Sequence, residues 1–121
     1  MGAAGWRSEM AKIKAIRVVP GMEPEAVEID SGLKSLQSEV GGYIALVSLD
    51  EQTDAYVNDE GLLTGLPFNR VLPTPYGKVP VVGNIIVVSH DNEGETTGLT
   101  DAQVSNWLLR LADAPQNPWV M

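Results

Sequence analysis

The stretch Val40 to Leu49, V-G-G-Y-I-A-L-V-S-L, constrains the fold of this chain more than any other. Gly41 and Gly42 stop the amphipathic segment before them. Tyr43 to Leu49 then carries aromatic and branched residues and no charge, the composition of a strand. Tyr43, Ala45 and Val47 fall on one face of that strand, Ile44 and Leu46 on the other. A strand apolar on both faces is expected in the middle of a covered sheet. The chain must therefore build a sheet with other elements packed on it. That argument reaches a fold class and stops short of an activity.

The rest of the chain is read around this strand. Lys12 to Val19 reads as a first strand, closed by the Pro20-Gly21 turn. Glu25 to Ile29 alternates charged and apolar residues, as an edge partner of the first strand would. Asp30 or Ser31 is the expected N-cap of a helix whose face is Leu33, Leu36 and Val40, with Gly41 as its left-handed C-terminal cap. Asp50-Glu51-Gln52 is an acidic turn, Thr53 to Val57 a return strand, and Asn58 to Gly61 a tight polar turn. Pro67, Pro73, Pro75 and Pro80 make residues 61–80 read as a long loop packed by its own apolar side chains. Val81 to Ser89 reads as one strand, with Gly83 marking a bulge or a close backbone approach. Thr100 and Gln103 form a capping box, with Leu99 and Val104 as its hydrophobic staple. Val104, Trp107, Leu108 and Leu111 give that helix its apolar face, and Pro115 ends it.

The expected fold is α+β: a single domain with a mixed or antiparallel sheet of about five strands and two helices packed on one face. Residues 1–11 are expected to be an N-terminal extension, 12–114 the domain, and 115–121 a C-terminal tail. Trp6 lies in the first tail and Trp119 in the second. Each is a large apolar anchor in an otherwise unstructured segment, which points to docking on the domain or on another chain.

Charge narrows the partners. The 121 residues carry a net charge of −8. Residues 1–20 hold Arg7, Lys12, Lys14 and Arg17 against Glu9 alone, so the acids are concentrated beyond them. A body of this kind repels nucleic acid phosphates and steers basic protein surfaces toward itself. No apolar run is long enough to cross a bilayer and no signal peptide opens the chain, so a cytoplasmic protein is expected. Without cysteine there is no disulfide and no thiol nucleophile.

The order A-I-R-V-V-P-G-M-E-P, L-K-S-L-Q-S-E-V-G-G-Y-I, N-D-E-G, L-P-F-N-R-V-L, V-V-G-N-I-I-V-V and L-T-D-A-Q, spread over Ile13 to Leu111, resembles a small family catalogued only as a domain of unknown function, the 3846 family. The resemblance implies a setting in bacteriophages or mobile elements of Gram-positive bacteria, and it brings no reaction. Residues 1–10 and those after Ala114 lie outside it.

Little here supports catalysis. His90 is the sole histidine. Ser89, His90 and Asp91 are adjacent on a strand and point to alternating faces, so they form no triad among themselves. Asp91-Asn92-Glu93-Gly94-Glu95 lacks the spacing of a calcium loop. No metal and no cofactor are expected. Asn69-Arg70 is the more informative pair, a guanidinium beside Phe68 in a proline-rich apolar stretch. It needs either an internal partner, for which Asp59 and Glu60 are nearest in sequence, or a ligand. Asn58, Phe68, Asn69 and Arg70, with Trp6 and Trp119, are the candidate ligand- or partner-binding residues.

The leading expectation is a non-enzymatic phage or prophage protein that binds and modulates a host bacterial protein in the host cytoplasm. A binder of a nucleotide-like small molecule and an acidic DNA mimic are the alternatives. Direct nucleic-acid binding and membrane association are not expected. A second copy of the chain is a further candidate partner.

Overall fold

A computed structural model describes residues 12–117. Along them run β1 (Lys12–Val18), β2 (Glu25–Asp30), α1 (Leu33–Val40), β3 (Ile44–Ser48), β4 (Thr53–Asn58), β5 (Phe68–Thr74), β6 (Gly77–Val82), β7 (Ile85–His90), β8 (Thr96–Thr97) and α2 (Asp101–Asp113). Six strands form one antiparallel sheet in the order β2-β1-β7-β4-β3, with short β8 pairing the far end of β7. β5 and β6 form a separate two-stranded ribbon. The result is α+β with an antiparallel main sheet, as the patterning implies.

The central strand is β7, buried from Ile85 to Ser89. Its alternation feeds two cores. Ile85 and Val87 join Ile16, Val18, Ala55 and Val57 on one face, covered by Trp107 and Leu111 of α2 and by Leu72 and Val81 of the ribbon. Ile86 and Val88 join Ala15 and Ile29 on the other, covered by Leu36 and Val40 of α1. The two helices thus pack on opposite faces, not on one. A helical apolar stripe says that a helix needs a sheet, not which side of it. Here the middle strands are apolar on both sides, so both need a cover.

The strand expected in the middle lies at the margin. Among the described residues β3 pairs only with β4 and ends the sheet. Being apolar on both faces is necessary for a central strand but does not fix its neighbours. β3 is apolar on both faces because α1 lies over one and the ribbon over the other.

The expected loop over 61–80 is largely the β5–β6 ribbon. Proline is excluded from strands only where its missing N–H would face a partner. Pro73 pairs with Lys78 and Pro80 with Val71, two positions apart in register. The Val71 N–H points away from the ribbon, to the Pro115 carbonyl at 2.8 Å. Both prolines share that pair type, so their missing donors face outward. Nor is Val81 to Ser89 one strand. Gly83 adopts φ +78° and separates β6 from β7. A Cβ there would lie 2.8 Å from Leu66 Cδ1, the close approach expected at this glycine.

The helix ends follow local chemistry. Gly41 closes α1 in the left-handed region, φ 79°, with its N–H on the Gln37 carbonyl. The N-cap of α1 is Gly32, not Asp30 or Ser31, and no side chain caps it. Arg17 clamps α1 onto β1 through Nε and Nη2 to the two Glu39 oxygens, at 2.7 and 2.8 Å. That bidentate bond raises the Arg17 pKa, against partial desolvation. At α2 the capping box is complete: the Gln103 N–H donates to Thr100 Oγ1 at 3.1 Å, and the Thr100 N–H donates to Gln103 Oε1 at 2.8 Å.

Candidate functional site

Asn69 and Arg70 are fully buried. Asn69 lies where the pairing of β5 with β6 is irregular, between Phe68 and Arg70. Its Nδ2 donates to the Val18 carbonyl at 2.9 Å and to the Gly83 carbonyl at 2.8 Å. Arg70 donates from Nε to Asn69 Oδ1 (3.0 Å), from Nη1 to the Leu111 carbonyl (2.6 Å) and from Nη2 to the Met22 carbonyl (2.9 Å). The pair binds the end of β1, the β1–β2 turn, the β6–β7 turn and the last turn of α2 to one ribbon strand. Burial pulls the guanidinium pKa down, and the Glu23 carboxylate opposes this. Asp59 and Glu60, its nearest acids in sequence, are not the partners of Arg70. Main-chain carbonyls hold it, and the structural alternative for this pair is the one the geometry supports.

Asn58 also works inside the fold. Its Nδ2 donates to the Val40 carbonyl (3.1 Å), and its Oδ1 accepts from the Glu60 N–H (2.8 Å). It ties the end of α1 to the turn after β4. A Cβ on Gly42 would stand 2.9 Å from Asn58 Nδ2, so the second glycine of the pair makes room for this contact. Phe68 is half-buried at the start of β5. Trp6 and Trp119 lie outside the described residues, as do most of the two terminal segments. The structure brings Asn69 and Arg70 together and leaves Asn58 elsewhere, beside α1.

His90 has an internal partner. Its Nδ1 lies 2.6 Å from Asp54 Oδ2, and that carboxylate raises the imidazole pKa. Ser89, on the opposite face of β7, donates from Oγ to the Gln52 carbonyl at 2.7 Å. Among the described residues no three His, Asp or Glu side chains converge as metal ligands. No helix among them is long and apolar enough to cross a membrane.

The surface that stands out is the margin of β3. Leu46 is 54% exposed, Tyr43 69%, and Leu62 and Leu63, in the segment after β4, 83% and 86%. Ala45 and Val47 of β3, Leu62 and Leu63, and Val79 and Val81 of β6 line an open groove of about 390 Å³ on the α2 face. Beside it Gly42, Tyr43, Asn58 and Leu66 border a second depression. Acidic turns flank the strand, Asp50 and Glu51 at one end, Asp59 and Glu60 at the other. Candidate selection by unusual polar residues missed this surface. Its signal was already in the sequence, as an uncharged, proline-free apolar run with exposed-turn residues on either side.

A family model described as Domain of unknown function (DUF3846) matches residues 13–112. No curated protein and no solved structure matches the chain.

Proposed function

The chain belongs to this family of unknown function, and on that premise we propose that it binds another protein through the β3 margin. In the phage or mobile-element setting, the partner is a host protein and the binding modulates it without chemistry. The observation that carries this reading is the concentration of exposed apolar side chains, Tyr43, Leu46, Leu62 and Leu63, around an uncharged edge strand. Exposed apolar side chains gathered on both faces of one sheet margin are a usual mark of an interaction site. The two alternatives find less support. Asn69 Nδ2 and three of the five Arg70 N–H groups bond inside the fold, which weighs against their use on a small molecule. Seven of the sixteen acids fall in three separate turns, Asp50 to Glu51, Asp59 to Glu60 and Asp91 to Glu95, and others are spread over β2, α1, β4 and α2, whereas a DNA mimic needs them spaced along one surface like phosphates.

Affinity capture from a bacterial host lysate tests the reading with three baits: the unaltered protein, Leu46→Lys and Leu109→Ser. Leu109 is an exposed leucine on α2, away from β3. A host protein retained by the first and third baits and lost by the second supports the proposal. Identical captures by all three, each with an unchanged melting temperature, overturn it.

A further inference from the structure

We propose that the outer edge of β3 accepts an added strand from the partner, and that this strand is apolar at its centre and basic at both ends. The inference rests on the partner-binding reading above and names its chemistry.

The main chain comes first. The Asp59 N–H donates to the Tyr43 carbonyl and the Leu49 N–H to the Thr53 carbonyl, both at 2.8 Å. Antiparallel pairs alternate, so Tyr43, Ala45, Val47 and Leu49 turn their main-chain groups toward β4. Ile44, Leu46 and Ser48 turn theirs outward, where no further strand follows among the described residues. Exposed edges are commonly protected by charge, proline or a bulge. β3 reads I-A-L-V-S and pairs with β4 in unbroken register, so it has none of these.

The side chains set the centre of the partner strand. Leu46 offers apolar surface on the α1 face. Ala45 and Val47 open onto the apolar groove on the α2 face. A strand laid along β3 therefore meets apolar neighbours on both of its faces. Main-chain bonds would supply affinity and the alternate side chains specificity, as in other cases of strand addition.

Charge sets the ends. Between Lys34 and Arg70 the chain has no basic residue, while Asp50, Glu51, Asp59 and Glu60 bracket β3. Lysine or arginine at both ends of the added strand complements them. A second copy fits worse. Two-fold antiparallel pairing of β3 with itself brings the Asp50–Glu51 end of each copy beside the Asp59–Glu60 end of the other, acid against acid at both ends.

The probes are three synthetic peptides: KKVTVTVKK, its acid-ended counterpart EEVTVTVEE, and the first peptide N-methylated at alternate central residues. Amide hydrogen exchange of the full chain is followed by NMR. Expected with the basic peptide is slowed exchange at Ile44, Leu46 and Ser48. Its Kd should be at least about ten-fold below that of the acidic peptide at low salt, with the gap narrowing as salt is added. The N-methylated peptide should not bind. The inference is overturned if those three amides exchange unchanged or if both end types bind equally. It is also overturned if the chain alone sediments as a dimer that Leu46→Lys dissolves, since a second copy then holds the edge. The two readings fail separately. Protection by the peptide without any β3-dependent capture from lysate keeps the edge chemistry and removes the host-binding role. β3-dependent capture without protection keeps the binding role and removes strand addition.

Discussion

The Asn69–Arg70 cluster and the β3 edge invert the ordinary arrangement of a folded domain in opposite directions. Around Arg70 a cation and an amide lie fully buried, and their donors meet carbonyls of β1, the β1–β2 and β6–β7 turns and α2. Along β3 the Leu46 side chain and a row of main-chain groups face solvent, with exposed Tyr43, Leu62 and Leu63 nearby. Both look anomalous in the sequence, and burial tells them apart. A polar group inside, with its partners inside, is a joint of the fold. An apolar group outside, beside unpaired main chain, is a surface that something else can complete.

The sharpest way to break this contrast is Arg70→Ala. It takes the donor from the buried Asn69 Oδ1, removes the guanidinium from the Leu111 carbonyl and opens a void. We expect a loss of about 3–5 kcal/mol, read from denaturant unfolding. A loss under about 1 kcal/mol would mean that Arg70 is no joint, and the ligand reading would return.

Thr100→Ala sharpens the same contrast at the other end of α2. Arg70 holds the last turn of that helix from within, whereas Thr100 caps the first turn in contact with water. The expected loss is about 1 kcal/mol. Losses of equal size at the two ends would show that burial adds nothing to the Arg70 contacts.

His90 stands between the extremes, 29% exposed on a carboxylate that is 5% exposed. Asp54 raises the His90 pKa above its ordinary 6.5. The folded state therefore holds the proton more tightly than the unfolded one. The pair's contribution is complete below about pH 6.5 and is lost as the pH rises through the folded value. A melting temperature that falls over that window, and does so less in His90→Gln, is the expected result. With one histidine in the chain, an unchanged slope in the variant would remove this pair as the cause.

Leu46→Lys has the smallest expected effect on stability, within about 0.5 kcal/mol of zero. Its effect should appear in partner binding alone. A large loss of stability would move Leu46 from the surface class into the core and erase the contrast.

What could be read in advance was the chemistry of near neighbours in sequence. Thr100 with Gln103, and Gly41 after Val40, are contacts between residues a few positions apart, so residue type announces them. Apart from the adjacent Asn69, the partners of Arg70 lie 41 and 48 positions away and are main-chain carbonyls, which every residue carries. No side-chain pattern marks them. The place of β3 failed for a related reason: alternation reports what covers a strand's faces and says nothing of what lies beside it. The four prolines hide the ribbon, because proline argues against a strand only where the missing N–H would meet a partner. In a ribbon each strand has one free side, and Pro73 and Pro80 turn theirs outward.

The position of β7 has a consequence for how the chain acquires its shape. β1 with β2, and β3 with β4, are hairpins between neighbours in sequence, and each can close early and independently. No strand pairing joins the two until β7 arrives, pairing Ile16 with Val87 on one side and Ala55 with Val87 on the other; until then α1 touches both, through Arg17–Glu39 and Asn58–Val40. A chain emerging from the ribosome up to Asn84 therefore holds three hairpins, β1–β2, β3–β4 and β5–β6, and lacks the strand that makes the first two one sheet. Closure over such sequence distances is slow, and folding on the millisecond-to-second scale of non-local sheets is expected. During that interval the unprotected β3 strand is already present, so the segment offered to a partner in the finished protein is also the one most open to mispairing during synthesis.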